Sequence, residues 1–433
     1  MTVKTTGDLA WLISRLRAEQ SNDALRLGGC VRSLTFELDA PTRSSPSLTP
    51  LMTNFGLTIY KFVRLQTLRW LELHYAPWVP WIFQAFRDSC SDLHTIKVES
   101  REYCEDDDTE TEVPCDEVFG FANMKHIDIT WFQQSADPDG VPEALINQIE
   151  NSPDLVELSL RLDTPSIDLL CKLQNPMANL RQLVLWGSEP ESDNSYSCSL
   201  GNFFLQHPHI IQLQLFWARD SPEPLHLTRP ELTYQAFSSL KYFHGPVAIS
   251  SDLVSSKVAE QLESLIVIQT YSCPLDFAES VGALIKNTRP LPKLKDLQIL
   301  GWYTPDVVMM ERGALEKLLA ATPALKSLNI MYFTTHWNDL VGALKHVPLL
   351  ETLEIGFIHS RRLLTPQNMV KIVAYNARVH CPKLREVTLR LMGSWQRKLI
   401  NGEEGEYIIA GGGVIKTTLY TAKIGRRVIE VPV

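Results

Sequence analysis

The chain has 433 residues, is 45% hydrophobic and 21% charged, and carries a net charge of −9 with a pI near 5.7. That balance excludes wholesale disorder. The missing basic face speaks against a nucleic-acid partner, since Arg361-Arg362 and Arg426-Arg427 are isolated pairs, and without a run of about 18 apolar residues no membrane span is expected.

In chain order, residues 1–30 come first as an N-terminal cap. Asp8, Arg15 and Arg17 interrupt any apolar core, so the segment does not resemble a secretory signal. Asp8–Arg26 reads as one helix able to cover the first repeat.

A hexamer, apolar-x-x-apolar-x-apolar, then recurs through residues 31–395. Its copies start at Val31, Leu68, Leu93, Met124, Leu155, Leu180, Ile210, Leu240, Leu262, Leu294, Leu325, Leu350 and Leu384. The clearest are Leu155-x-x-Leu158-x-Leu160 and Leu180-x-x-Leu183-x-Leu185. The copy Leu240-x-x-Phe243 is weaker, because Gly245 takes its third apolar place. The thirteen copies are spaced on average about 29 residues apart, which is a structural repeat.

The last two apolar positions alternate with polar ones, as in a half-buried strand. Between them lie stretches with apolar residues at helical spacing: Val141–Asn151, Ser166–Gln174, Ala278–Lys286, Glu311–Ala321, Trp337–His346 and Gln367–Arg378. Proline stands two residues before the first apolar position at Pro153, Pro208, Pro292, Pro323, Pro348 and Pro382. It ends each helix and restarts extended chain.

The expected fold is an α/β solenoid of the leucine-rich-repeat kind, a horseshoe with a parallel concave sheet and convex helices. The ninth position lacks the usual Asn or Cys. It holds Asp39, Phe132, Asp163, Ser188, Trp302 and Phe333, so irregular turns and variable curvature are expected.

Residues 396–433 break the repeat and read as a short β-rich C-terminal cap or tail, with strands at Tyr407–Ala410, Val414–Tyr420 and Val428–Val431. Gly411-Gly412-Gly413 lacks the Lys-Ser/Thr of a phosphate loop and reads as a turn.

The pattern around Cys381-Pro382-Lys383-Leu384 and Thr322-Pro323-Ala324-Leu325 resembles the repeats of F-box/leucine-rich-repeat proteins, especially divergent fungal ones. The resemblance covers roughly residues 30–395. It implies substrate recognition in a cullin-type ubiquitin ligase. No F-box, with its Leu-Pro-x-Glu-like opening, is recognisable in residues 1–29.

The expected function is protein–protein interaction through the concave face and an aromatic rim. The fifth repeat positions facing that surface read Glu72, Lys97, Asp128, Ser159, Val184, Gln214, Ile266, Gln298, Asn329, Glu354 and Thr388. The strand exits carry Trp131, Trp186, Phe216, Trp217, Trp302, Tyr332 and Phe357, which are the candidate partner-binding residues. The partners implied are a protein and, through the resemblance, ubiquitin-ligase subunits. The other reading places a small-molecule or enzyme pocket at the rim.

The remaining features imply no chemistry. The acidic stretch Glu102–Glu117 lacks the glycine and terminal glutamate of a calcium loop. His207-Pro208-His209 has no third ligand at useful spacing. No G-x-S-x-G nucleophile motif is present. No metal, cofactor or catalytic activity is expected. The eight cysteines form no C-x-x-C pair, which suits reduced thiols in the cytoplasm or nucleus.

Overall fold

The computed structural model describes residues 1–19, 26–39, 42, 45–71, 73, 79–101, 118–132, 143–162, 170, 172–188, 201–218, 230–268, 274–300, 308–309, 313–330, 333–334, 337–358, 376–392, 406–410 and 413–423. The chain divides into two compact units, Met1–Glu191 and Ser192–Val433. Both are α/β.

The first unit contains β1 (Thr2–Val3), α1 (Thr6–Ala18), α2 (Leu27–Cys30), β2 (Ser33–Glu37), α3 (Leu48–Gly56), β3 (Thr67–Leu71), α4 (Val79–Ser89), β4 (Thr95–Arg101), β5 (His126–Phe132), α5 (Glu143–Glu150), β6 (Glu157–Leu162) and β7 (Gln182–Ser188). Its strands lie in chain order, each parallel to the next.

The second unit contains β8 (Gln212–Ala218), α6 (Thr233–Ala236), β9 (Tyr242–Pro246), α7 (Val247–Ser255), β10 (Ser264–Ile268), α8 (Pro274–Asn287), β11 (Asp296–Leu300), β12 (Val308–Met309), α9 (Ala314–Ala320), β13 (Ser327–Ile330), β14 (Phe333–Thr334), α10 (Trp337–Leu344), β15 (Thr352–Ile358), β16 (Glu386–Met392), β17 (Glu406–Ala410) and β18 (Gly413–Lys423). Here β8, β9, β10, β11, β13, β15 and β16 are parallel in that order. The short β12 and β14 pair beside this sheet. The chain then reverses: β18 runs antiparallel along β16, and β17 pairs with β18.

The turn before each strand shows why proline recurs. In Leu93, Leu155, Ile210, Leu294, Leu325, Leu350 and Leu384 the amide donates to the carbonyl three residues back, at Cys90, Ser152, His207, Leu291, Thr322, Val347 and Cys381. Proline occupies the second place of most of these turns, where its fixed φ fits. The residue that opens the turn is buried in every one of these cases. Where it is polar, it caps the preceding helix. The Ser152 hydroxyl donates to the Gln148 carbonyl at 2.8 Å and accepts the Met124 amide at 3.1 Å. Thr322 Oγ1 donates to the Leu319 carbonyl at 3.2 Å.

Neighbouring repeats are joined by a backbone ladder in place of an Asn ladder. The second-position carbonyl accepts two amides of the following repeat. Examples are Lys125 and His126 on His94, Val156 and Glu157 on Lys125, and Lys326 and Ser327 on Lys295. The strand entries are therefore regular despite the missing ninth-position residue. Both joins use only backbone atoms, so no side-chain signature records them.

The core lies under one sheet face. Fourth and sixth repeat positions are buried, including Leu34, Phe36, Ile96, Val98, Leu158, Leu160, Leu328 and Ile330. Aromatic rings fill the first repeats: Phe36 stacks on Trp70 at 4.3 Å, and Phe83 lies against Trp70 at 5.4 Å.

Three elements differ from expectation. Leu68 is the fourth position of its repeat, because it pairs with Leu34 and Ile96; the copy is Leu65-x-x-Leu68-x-Trp70. The fifth position there is Arg69 instead of Glu72. The first helix spans Thr6–Ala18, shorter than Asp8–Arg26, because Glu19 is extended and Arg26 precedes a separate helix. Its start is fixed by a capping box: Thr5 Oγ1 accepts the Asp8 amide at 3.1 Å, and Asp8 Oδ2 accepts the Thr5 amide at 3.0 Å. The Lys4 amide, and then the Thr5 amide, donate to the Asp8 carboxylate and hold it below its ordinary pKa. Finally, Thr2 and Val3 add a strand that pairs with β2, and Val3 is fully buried.

The expected helices at 143–150, 274–287, 314–320 and 337–344 are present. Most of Ser166–Gln174 and Gln367–Arg378, and all of Glu102–Glu117 and Val428–Val431, lie outside the described residues. No described helix is long and apolar enough to cross a membrane.

Candidate functional site: the uncovered sheet face

Strand alternation sends third, fifth and seventh repeat positions to the face opposite the core. No described helix covers that face, and in both units its described residues are half-buried or exposed at most positions. A parallel sheet ordinarily has both faces covered. In both units of this molecule one face of the parallel sheet is largely uncovered among the described residues.

In the first unit the face is a mosaic of paired polar and ionic side chains. Lys97 Nζ lies 2.7 Å from Asp128 Oδ2, and His126 Nδ1 lies 3.0 Å from Glu157 Oε2. The Arg161 guanidinium sits 4.5 Å from the centre of the Trp186 ring, a cation–π arrangement. Arg161 Nε is buried with no hydrogen-bond partner among the described residues.

In the second unit the face changes character along the stack. Tyr242, His244 and Ile266 stand near its start, with the His244 ring edge-on to Phe216 at 4.3 Å. Burial pushes the His244 pKa down to about 4, so the ring is neutral at physiological pH. Further along stand Asp296, Gln298, Asn329 and Glu354. Asp296 Oδ2 accepts the Ser264 hydroxyl at 3.0 Å, and Glu354 Oε2 accepts Asn329 Nδ2 at 3.0 Å. A carboxylate can only accept, so this contact fixes the amide orientation. Asn329 Oδ1 is left buried and unpartnered among the described residues. An unmade bond of this kind costs about 1–3 kcal/mol.

At the strand entries beside this face runs a charged ladder. Glu263 lies between Lys241, at 3.2 Å, and Lys295, at 2.6 Å. Bonds from Lys295 and then Lys241 hold the Glu263 pKa below its ordinary value. Glu351 similarly sits between Lys326 and Arg385, at 3.7 and 3.9 Å.

The candidate aromatics separate by strand parity. Trp186 and Phe216, at seventh positions, are half-buried on the uncovered face. Trp131, at an eighth position, turns to the core side with Ile127 and Ile129; it is 5% exposed and packs edge-on against Phe119 at 5.4 Å. It is unavailable to a partner. The backbones of Trp217 and Phe357 lie in β8 and β15, but their side chains, with Trp302 and Tyr332, lie outside the described residues. Of the polar strip, the sequence points to Asn329, as a fifth position on this face, but not to Asp296, at a third position. Its signal was the run of polar third and fifth positions.

Other candidate chemistry is absorbed by the fold. The His207 ring donates from Nδ1 to the Phe203 carbonyl at 2.7 Å and is buried. Among the described residues no group of three His, Cys, Asp or Glu is placed to hold a metal. Burial pushes the Cys90 thiol up to about 12 and Cys381 to about 11, so both stay protonated.

The molecule is thus an α/β repeat protein with stacked parallel strands. No family model matches the chain, and no curated protein matches it. Among solved structures, a Bacteroides fragilis protein is 12% identical over 78% of this chain and 75% of that chain, with a TM-score of 0.32. That likeness is too distant to transfer a function.

Proposed function

We propose that the repeats are of the leucine-rich kind, with the uncovered sheet face as the concave surface of a horseshoe, and that the chain binds a protein partner there. The observation that carries this is the parallel sheet whose described helices lie on one face only. Trp186 and Phe216 supply large, partly exposed rings of the type that dominates binding energy at interfaces. The cytoplasm or nucleus is the proposed location, in keeping with the protonated, unpaired Cys90 and Cys381.

The same reading extends to a substrate-recognition role in a cullin-type ubiquitin ligase, supported by the register of Pro323 and Pro382 in the repeat. Affinity purification of the full-length chain from its native cells tests both. Partners that are lost with Trp186→Ala and Phe216→Ala, while circular dichroism and melting are preserved, support the binding face. Cullin-ligase subunits among those partners support the extended role. Full retention of every partner by the folded double variant sinks the binding-face assignment.

A further inference from the structure

We infer that the helical side of the first unit docks on an anionic lipid surface, through an apolar ridge of Leu57, Tyr60, Val63 and Trp81 flanked by Arg17, Lys61 and Arg64. This surface lies away from the sheet face and does not rest on the role proposed for it.

The ridge comes from local helix geometry. Leu57 caps the end of α3, and a 3-10 turn follows at Ile59–Lys61. Side chains three residues apart line up in such a turn. Leu57, Tyr60 and Val63 follow that spacing and are 58, 61 and 52% exposed, while Thr58, Ile59 and Phe62 between them are buried. Trp81 of α4 joins them. Its ring lies against Gly56, where an added Cβ would come within 2.1 Å of it, and it is 41% exposed. The helix that carries it packs on the 3-10 turn. Large apolar side chains at a soluble surface are ordinarily scattered singly, so four of them gathered on adjoining elements mark an interaction site.

The charge around the ridge has one sign. From Leu48 to Leu71 the sequence holds Lys61, Arg64 and Arg69 and no Asp or Glu. Lys61 Nζ lies 5.9 Å from the centre of the Tyr60 ring and donates to the Leu16 and Glu19 carbonyls at the end of α1. Arg17, from α1, donates to Asn54 Oδ1 at 2.6 Å, one turn before Leu57. These acceptors are neutral, so the cations keep their charge. The carboxylates on the flanking helices are engaged elsewhere: Glu19 accepts the Gly28 amide, and Asp88 accepts Gln84 Nε2.

Three arguments choose lipid as the occupant. Tryptophan and tyrosine rings beside lysine and arginine are the composition that settles at a membrane interface. A partner helix lies in a groove, whereas these side chains project as a ridge. A second copy of the chain would bring Arg17, Lys61 and Arg64 against their own equivalents, and like charges repel. The whole chain carries −9, so attraction to an anionic surface comes from this patch and not from net charge.

Co-sedimentation of the full-length chain with vesicles tests the inference. The chain should bind phosphatidylcholine vesicles that contain about a third phosphatidylserine, and should bind phosphatidylcholine alone about tenfold or more weakly. Raised salt should weaken binding. The Leu57→Ser, Tyr60→Ser variant and the Arg17→Gln, Arg64→Gln variant should each lose binding about tenfold or more while their melting temperatures are kept. Lipid brominated in its acyl chains should quench the tryptophan fluorescence of bound chain, and Trp81→Phe should reduce that quenching while binding persists. Failure of the cooperatively melting chain to bind the mixed vesicles overturns the inference. So does binding that is indifferent to phosphatidylserine, that survives both double variants, or whose quenching is unchanged by Trp81→Phe. An acidic protein lost with Leu57→Ser, Tyr60→Ser, without vesicle binding, assigns the ridge to a protein and overturns the lipid reading.

Discussion

At His244, burial beside Phe216 separates the folded and unfolded pKa values, about 4 against an ordinary 6.5. Between those values the unfolded chain takes up a proton that the folded chain refuses. Stability is therefore unaffected above pH 6.5 and falls as the pH drops toward 4, by up to about 3 kcal/mol. The His244→Phe variant removes that contribution while keeping a ring against Phe216. Urea unfolding at pH 7.5 and 4.5 should show a smaller loss for the variant than for the parent; equal losses would show that His244 is not the group responsible. Ser152 acts differently, through two bonds made in full burial. Ser152→Ala leaves the Met124 amide without its partner and should destabilise by about 1–3 kcal/mol. Ser255→Ala, whose hydroxyl makes an exposed bond to the Asp252 carbonyl, should change stability by less than about 0.5 kcal/mol.

Among the elements, β9 explains the weakest hexamer. Gly245 stands where the other strands bury a large apolar side chain, and a Cβ built there would come within 2.7 Å of the Phe243 ring. The ring fills the space that the glycine leaves, so the pair conserves volume across the two positions. Gly245→Val alone should destabilise by about 1–3 kcal/mol through overpacking. Combining it with Phe243→Leu should recover part of that loss, a coupling readable in a double-mutant cycle; strictly additive effects would refute the shared space. This strand was legible in the sequence because Leu240 and Phe243 kept the repeat spacing despite the glycine. The register of β3 was not: Leu65-x-x-Leu68-x-Trp70 and Leu68-x-x-Leu71-x-Leu73 overlap, and both satisfy the hexamer. Only the pairing of Leu68 with Leu34 and Ile96 decides between them. The site was half legible for a related reason. Alternation continues past the hexamer, so a seventh-position Trp186 faces outward and an eighth-position Trp131 inward, and treating every strand-exit aromatic as equivalent hid that difference. The orphaned Asn329 oxygen has no sequence signal, since it depends on which neighbour Glu354 engages.

For the whole molecule, stacking makes stability a matter of neighbours, and the last repeat needs something beyond it. In the second unit β18 lies along β16, with Leu389 opposite Tyr420, and β17 folds back on β18. This reversal to antiparallel pairing occupies the hydrogen-bonding edge of the last parallel strand. An exposed edge of that length is a template for pairing with another chain. A chain ending at residue 395 should therefore melt at lower temperature and associate with itself as concentration rises, both measurable by calorimetry and light scattering. The two effects separate with one further change. Thr388→Lys in the shortened chain places a charge on the freed strand and disfavours pairing between copies. If the association comes from the edge, this variant should return to monomer while its melting temperature stays low. If it continues to associate, general exposure of apolar core is the cause. A shortened chain that is as stable and as monomeric as the parent would show that the hairpin does not cover β16.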